Sequence, residues 1–250
     1  KGKYETLKVA PHDTAFVDLH YKLPRMGYKE IFLNVYYKNK KEEGILPADW
    51  EIAKDQLMLY SQLNNKTTLP ESGNLAVQIT NSAINVSNSN VKYAFSRNDG
   101  LLHQYVVDGN NFLKEGYSLK PNFWRPPTDN DFGADLQQKL INWKRASHNY
   151  VLLGFDIDSS NNKNIKLNMH YSLPDVYAYL DINYELNGEG AIKVTESMQA
   201  DKTKEEPMMF KFGMQMMLPK EYKQMEWYGR GPSENYWDRK DAAFIGVYKM

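Results

Sequence analysis

The stretch NIKLNMHYSL constrains the fold more than any other feature of the chain. Ile165, Leu167, Met169, Tyr171 and Leu173 alternate with Lys166, Asn168, His170 and Ser172, and a period of two becomes one apolar and one polar face only on a β-strand. The same alternation runs through Leu180, Ile182, Tyr184 and Leu186, and through Phe210, Phe212, Met214, Met216 and Leu218 in MFKFGMQMML. Long strands with one dry face predict a large antiparallel sheet. Earlier, Val17, Leu19 and Tyr21, then Ile31, Leu33, Val35 and Tyr37, then Glu51 to Tyr60 predict three more strands, separated by Pro, Gly or charged turns. Three strands make an incomplete sandwich.

Between Gln62 and Asn74 the sequence QLNNKTTLPESGN loses its alternation and collects Asn, Thr, Pro and Gly, which predicts a connection between domains. The expected division is a first domain over 1–66, a linker over 67–74 and a second domain over 75–250. Beyond the linker, LAVQIT, AINVS, VKYAFSR and GLLHQYVV predict short strands at sandwich-like spacing. One short helix is expected in GADLQQKLINWKRAS, where Leu136, Leu140 and Trp143 recur at helical intervals. The fold class is therefore all-β.

Charge and composition exclude several functions. The chain balances 31 Lys and Arg against 31 Asp and Glu, so neither nucleic acid nor an anionic membrane is an expected partner. No apolar run is long enough for a membrane span, and no charged start leads into an apolar signal core. The chain opens KGKYETLKV without Met, which suggests an upstream part; the compartment, cytoplasmic or periplasmic, stays open. With no cysteine there is no disulfide and no thiolate nucleophile. The five histidines have no H-x-H or H-E-x-x-H spacing, so no metal site is expected on them. GRGPSE places Pro232 and Glu234 where a dinucleotide loop needs its turn and final glycine, and nucleotide cofactors drop out.

Two segments concentrate side chains that carry chemistry. In KPNFWRPPTDNDFG, Phe123 and Trp124 supply flat apolar faces, Arg125 a five-donor fork, and Asp129, Asn130 and Asp131 polar partners. In WYGRGPSENYWDR the corresponding candidates are Trp227, Arg230, Glu234 and Asn235. Aromatic rings beside bidentate polar groups suit a pyranose, whose C–H face stacks and whose hydroxyls need partners. Both segments also have a structural reading. Asp and Asn oxygens of TDNDFG would cap the backbone ahead of the helix, and a calcium loop there would need Glu where Leu140 stands. In WYGRGPSENYWDR the glycines and Pro232 would form a tight connection. Glu234, Asn235, Asp238 and Arg239 would lock it, with Trp227 and Tyr228 packed beneath. Glu234 and Asp238 are near in sequence, but nothing in their spacing makes them an acid and nucleophile pair. No catalytic residue is assigned.

Taken together, FWRPPTDNDFG and, further along, WYGRGPSENYWDRK resemble the small-chain domain of the large bacterial β-galactosidases of glycoside hydrolase family 2. The match runs through Phe123, Arg125, Pro127, Asp129, Asn130, Asp131, Gly133, Trp143, Trp227, Gly229, Gly231, Pro232, Glu234, Asn235, Tyr236, Asp238 and Arg239. It departs at Pro126, where the family often has Ala, and at Trp237, where it often has Pro. More loosely, KVAPHDTAFVDL and PADWEIAKDQLML look like the immunoglobulin-like sandwich that precedes that domain.

The resemblance implies a partial immunoglobulin-like sandwich followed by a large supersandwich, similar in shape to sugar mutarotases. It also implies a C-terminal piece of a retaining enzyme that releases terminal β-galactose. In that family the catalytic glutamates and the ligands of a divalent metal such as magnesium lie on an upstream α/β barrel. The chain itself would then be a noncatalytic scaffold, partnered by that barrel and by copies of itself, with a β-galactoside as the substrate of the whole. Two other readings stay open: a carbohydrate-binding module presenting Trp124 and Trp227, and a mutarotase-like epimerase, which needs a His and a carboxylate converging in a concave face.

Overall fold

The computed structural model describes residues 2, 9–24, 27, 29–62, 68–204 and 208–250. The expected domain boundary falls partly among residues 63–67, outside the described residues. Contacts divide the chain into two compact units, Lys1–Thr67 with Gln224–Met250, and Thr68–Lys223.

In the first unit, β1 (Glu30–Lys38) and β2 (Glu51–Ser61) form an antiparallel ribbon. The turn between them is held by Asn39, a buried amide whose Nδ2 donates to the carbonyls of Lys41 and Pro47 at 2.9 and 2.8 Å. Residues 14–24 form no strand. The alternation of Val17, Leu19 and Tyr21 has no neighbouring ladder, and Tyr21 is exposed. Alternation alone does not pair a backbone.

The second unit begins with β3 (Ala76–Ile79), β4 (Ala83–Ser87), β5 (Val91–Ser96), β6 (Leu102–Val107) and β7 (Asn110–Asn111), which pair in that order as one five-stranded sheet. A two-residue strand β8 (Lys120–Pro121) precedes three short helices, α1 (Asp129–Gly133), α2 (Leu136–Lys139) and α3 (Ile141–Ala146). Strands β9 (Val151–Asp158), β10 (Ile165–Leu173), β11 (Ala178–Leu186) and β12 (Ile192–Ala200) form a four-stranded antiparallel sheet in the order β12-β11-β10-β9. The inward residues of β4, β5 and β6 share one core with those of β10 and β11. Across it Phe95 meets Tyr184 edge-on at 4.8 Å, and the Tyr93 hydroxyl donates to the carbonyls of Asn187 and Ala191 at 3.0 and 3.1 Å. This all-β sandwich is the expected fold class.

Two further expected elements differ. The single helix over GADLQQKLINWKRAS is two, α2 and α3, because Leu140 leaves helical geometry between them, and Asp135 at φ 59° separates them from α1, which ends at Gly133. Leu140 and Trp143 are buried nonetheless. The long strand over Phe210 to Leu218 shrinks to β13 (Met214–Gln215), paired only with the two residues of β8. No long strand lies beside it among the described residues, so its ladder stops.

The segment 68–74 is pinned to the turn after β11. Asn187 is buried and donates to the Pro70 carbonyl and the Ser72 hydroxyl, and Gly188 N–H donates to the Ser72 carbonyl at 2.7 Å. Gly73 and Gly188 approach so closely that a Cβ on either would lie under 3 Å from the other's backbone, so both must be glycine.

The chain closes in the first unit with β14 (Glu226–Gly231) and β15 (Phe244–Lys249), an antiparallel hairpin. Gln56 of β2 clasps it. The Ile245 N–H donates to Gln56 Oε1 at 2.7 Å, and Gln56 Nε2 donates back to the Ile245 carbonyl at 2.9 Å. The side chain thus satisfies one residue's backbone pair as a neighbouring strand would. The Tyr36 and Phe244 rings, 6.0 Å apart, and a Tyr228–Glu30 hydrogen bond complete the contact.

Candidate functional site

The segment 123–133 is built around one ion pair. The Arg125 guanidinium grips the Asp131 carboxylate with both terminal nitrogens, Nη2 to Oδ1 at 2.9 Å. The same carboxylate accepts the Thr128 N–H at 2.7 Å, while Thr128 Oγ1 receives the Asp131 N–H at 3.4 Å. Together these bonds form a capping box at the start of α1. The cap expected from TDNDFG is present, but Thr128 and Asp131 make it. Asp131 is almost fully buried. The hydrogen bonds from Arg125 lower its pKa to about 2, with Thr128 adding to the effect and burial opposing it.

The aromatic residues here pack rather than project. Phe123 is fully buried, 6.0 Å from Trp143, and its N–H donates to Ser147 Oγ at 2.8 Å. The Trp124 ring lies 4.8 Å from Phe210, and the Arg125 guanidinium covers Phe210 at 4.2 Å. Asp129 and Asn130 are exposed in the first turn of α1. Of the five candidates in this segment, only Arg125 and Asp131 meet, and each engages the other.

WYGRGPSENYWDR takes a different form from the one expected. WYGRG is the strand β14 rather than a turn, and residues 232–243 connect it to β15. Gly231 is buried, and a Cβ there would lie 2.7 Å from the Tyr248 ring. Close packing inside a strand, not turning, requires this glycine. Trp227 packs on Tyr248 at 5.4 Å and donates its indole N–H to the Arg230 carbonyl at 3.1 Å, whereas Tyr228 is exposed. Arg230 Nη1 donates to the carbonyls of Lys240 and Ala243, which closes the connection. Glu234 pairs with Arg239 at 3.0 Å on the surface, and Asn235 donates to the Arg230 carbonyl at 3.5 Å. Asp238 joins none of these contacts. The lock is therefore Arg230 on backbone carbonyls rather than the acidic residues.

The candidates of the two segments thus lie in separate compact units. Among the described residues no group of three His, Asp or Glu side chains has the arrangement of metal ligands.

The structure also reveals titratable groups that the sequence reading left unpaired. His170, on the outer face of β10, lies between Asp181 of β11 (Nδ1 to Oδ1, 2.7 Å) and Asp156 of β9 (Nε2 to Oδ2, 2.9 Å). These hydrogen bonds raise its pKa, Asp156 having the larger effect. His103 pairs with Asp99 at 2.8 Å and is likewise raised. Cross-strand register sets the His170 meetings, and spacing in sequence does not reveal register; the His103 pair is local, four residues apart. Glu196 did leave a sequence signal: it occupies the inward phase of β12 with Val194 and Met198. Its Oε1 is buried without a hydrogen-bond partner, as is the Tyr184 hydroxyl, and burial raises its pKa to about 7.

Comparison with known proteins supplies the kinship of this sandwich. The chain belongs to the family described as Beta galactosidase small chain, whose profile matches residues 87–250. Residues 1–60 match a second profile, Beta-galactosidase, domain 4. Among curated proteins, the beta-galactosidase of Priestia megaterium is 27% identical over 97% of this chain and 23% of its own length. That of Clostridium acetobutylicum is 28% identical over 100% of this chain and 27% of its own. The beta-galactosidase of Actinobacillus pleuropneumoniae is 26% identical over 95% and 23%. The chain therefore spans about a quarter of the length of these relatives.

Proposed function

We propose that the chain is the C-terminal part of a retaining β-galactosidase and serves that enzyme as a noncatalytic scaffold. The observation that carries this reading is the fate of the charged candidates. Arg125 and Asp131 are committed to each other, Arg230 to backbone carbonyls, and Glu234 to Arg239 on the surface. A retaining glycosidase needs two carboxyl groups about 5–5.5 Å apart, one held neutral and one ionised, and these residues supply no such pair. Trp124 and Trp227, packed on Phe210 and Tyr248, build walls rather than an open sugar platform.

On this reading an immunoglobulin-like part over 1–66 and a linker over 67–74 lead into a supersandwich part over 75–250. The acid/base, the nucleophile and any magnesium site belong to a barrel elsewhere in the polypeptide, and the assembled enzyme is a homo-oligomer acting on terminal β-galactosides. The test is turnover of an aryl β-galactoside by the purified 250-residue chain and by the same chain within its full-length polypeptide. Activity is expected only in the latter, and it should survive Glu234→Gln there. Turnover by the isolated chain that Glu234→Gln abolishes would overturn the reading.

A further inference from the structure

We propose that a recess of about 590 Å³ in the second unit, between residues 109–115 and 217–222, is a saccharide-binding site. It lies apart from both motifs discussed above and does not rest on the scaffold reading. Its volume falls within the roughly 300–1,000 Å³ of small-molecule sites and has room for a mono- or disaccharide.

Internal contacts hold its walls. Lys114 N–H donates to the Met217 carbonyl at 2.8 Å, which ties one rim to the other. The Phe112 and Tyr222 rings stack at 5.6 Å with an interplanar angle of 25°. Asn111 Oδ1 accepts the Leu113 N–H at 3.3 Å. A site fixed before the ligand arrives loses less ordering entropy on binding.

The lining has the chemistry that a sugar needs. Met217 and Tyr222, both partly exposed, offer apolar and aromatic surface for a C–H face. The side chains of Glu115, Lys220 and Glu221 make no hydrogen bond or ion pair among the described residues and keep their donors and acceptors free for hydroxyls. Lys114 and Lys220 balance Glu115 and Glu221, so the recess carries no net charge. A phosphate or nucleotide gains nothing from such a lining, while a neutral polyol uses both signs. In contrast, the polar groups of Arg125, Asp131 and Arg230 are already spent.

The experiment titrates the 250-residue chain with lactose and with methyl β-D-galactopyranoside, followed by saturation-transfer NMR, with inorganic phosphate as competitor. Saturable millimolar binding is expected, insensitive to phosphate. It should weaken about tenfold or more in Tyr222→Ala and in the pair Glu115→Ala with Glu221→Ala. Binding should be unchanged in Trp237→Ala, which removes an exposed indole of the other unit. Because the paired glutamates are surface residues, that variant keeps the test valid if Tyr222→Ala fails to fold. Absence of binding by both sugars, binding indifferent to the recess variants, or displacement by phosphate would each overturn the proposal.

Discussion

Strands β10 and β2 both read as strands in the sequence, and the structure treats them in opposite ways. β10 lies inside a four-stranded sheet, and its residues Ile165, Leu167, Met169, Tyr171 and Leu173 are all buried. β2 has β1 as its ladder neighbour, and Ile52, Leu57 and Met58 remain exposed. Alternation specifies that a backbone extends and which side chains share a face. Burial of that face depends on whether a second layer covers it.

If that is the lesson, mutations should separate the regions by size of effect. The largest is expected for Phe95→Ala, which empties a fully buried site against Tyr184. It should cost the second unit about 4 kcal/mol, read by denaturant titration of that unit's hydrogen-exchange protection. A cost near zero would mean that the two sheets do not share a core. Next comes Arg125→Ala, which leaves the Asp131 carboxylate buried beside Thr128 without its partner. The expected loss is about 3 kcal/mol, and Asp131→Asn combined with Arg125→Ala should recover part of it.

Glu196 tests the edge of the same sandwich through pH. Its folded pKa, about 7, lies above its ordinary value of 4.5, so the folded state holds the proton that the unfolded state releases. Stability of the second unit should therefore fall as pH rises from about 4.5 to about 7 and then level off. His170, raised by its two aspartates, contributes in the same direction: its stabilisation is complete below the unfolded pKa and is lost as pH rises through the folded one. Glu196→Gln should flatten the lower part of the slope, and an unchanged profile would show that the carboxyl is solvated.

In the first unit the effects should be smaller. Gln56→Ala removes two hydrogen bonds to Ile245 and should cost about 1–2 kcal/mol, with faster exchange of the Ile245 amide as the direct readout. Ile52→Ser should change stability by less than about 0.5 kcal/mol. A larger cost would show that the β2 face is covered.

Much of the fold was legible in particular residues. Strands β1, β2, β3 to β6, β10 and β11 lie where alternation placed them, because their apolar phase coincides with a sheet that has neighbours. MFKFGMQMML carried the same signal and became a two-residue strand, since its ladder partner among the described residues is the two-residue β8, Lys120–Pro121. The helix signal of Leu136, Leu140 and Trp143 located a helical segment but not its breaks, which are set by the backbone angles at Asp135 and Leu140. At the candidate site the residue types were legible and their partners were not. Arg125 and Asp131 stand near enough in sequence for a pair to be imagined, whereas Arg230 finds its partners beyond a connection, at Lys240 and Ala243. The recess at 109–115 and 217–222 left no local signal, since its two rims are distant in sequence.

By itself, the sequence determined the all-β class, the phase of the main strands, and the kinship carried by FWRPPTDNDFG and WYGRGPSENYWDRK. These follow from local periodicity and from residue identity, which need no knowledge of what packs against what. Tertiary structure alone decided which apolar faces are covered, that WYGRG is a strand whose Gly231 makes room for Tyr248, and that His170 meets two aspartates. The reason is physical: burial, ion pairing and close approach are properties of two segments at once, and their register is set only when the layers close.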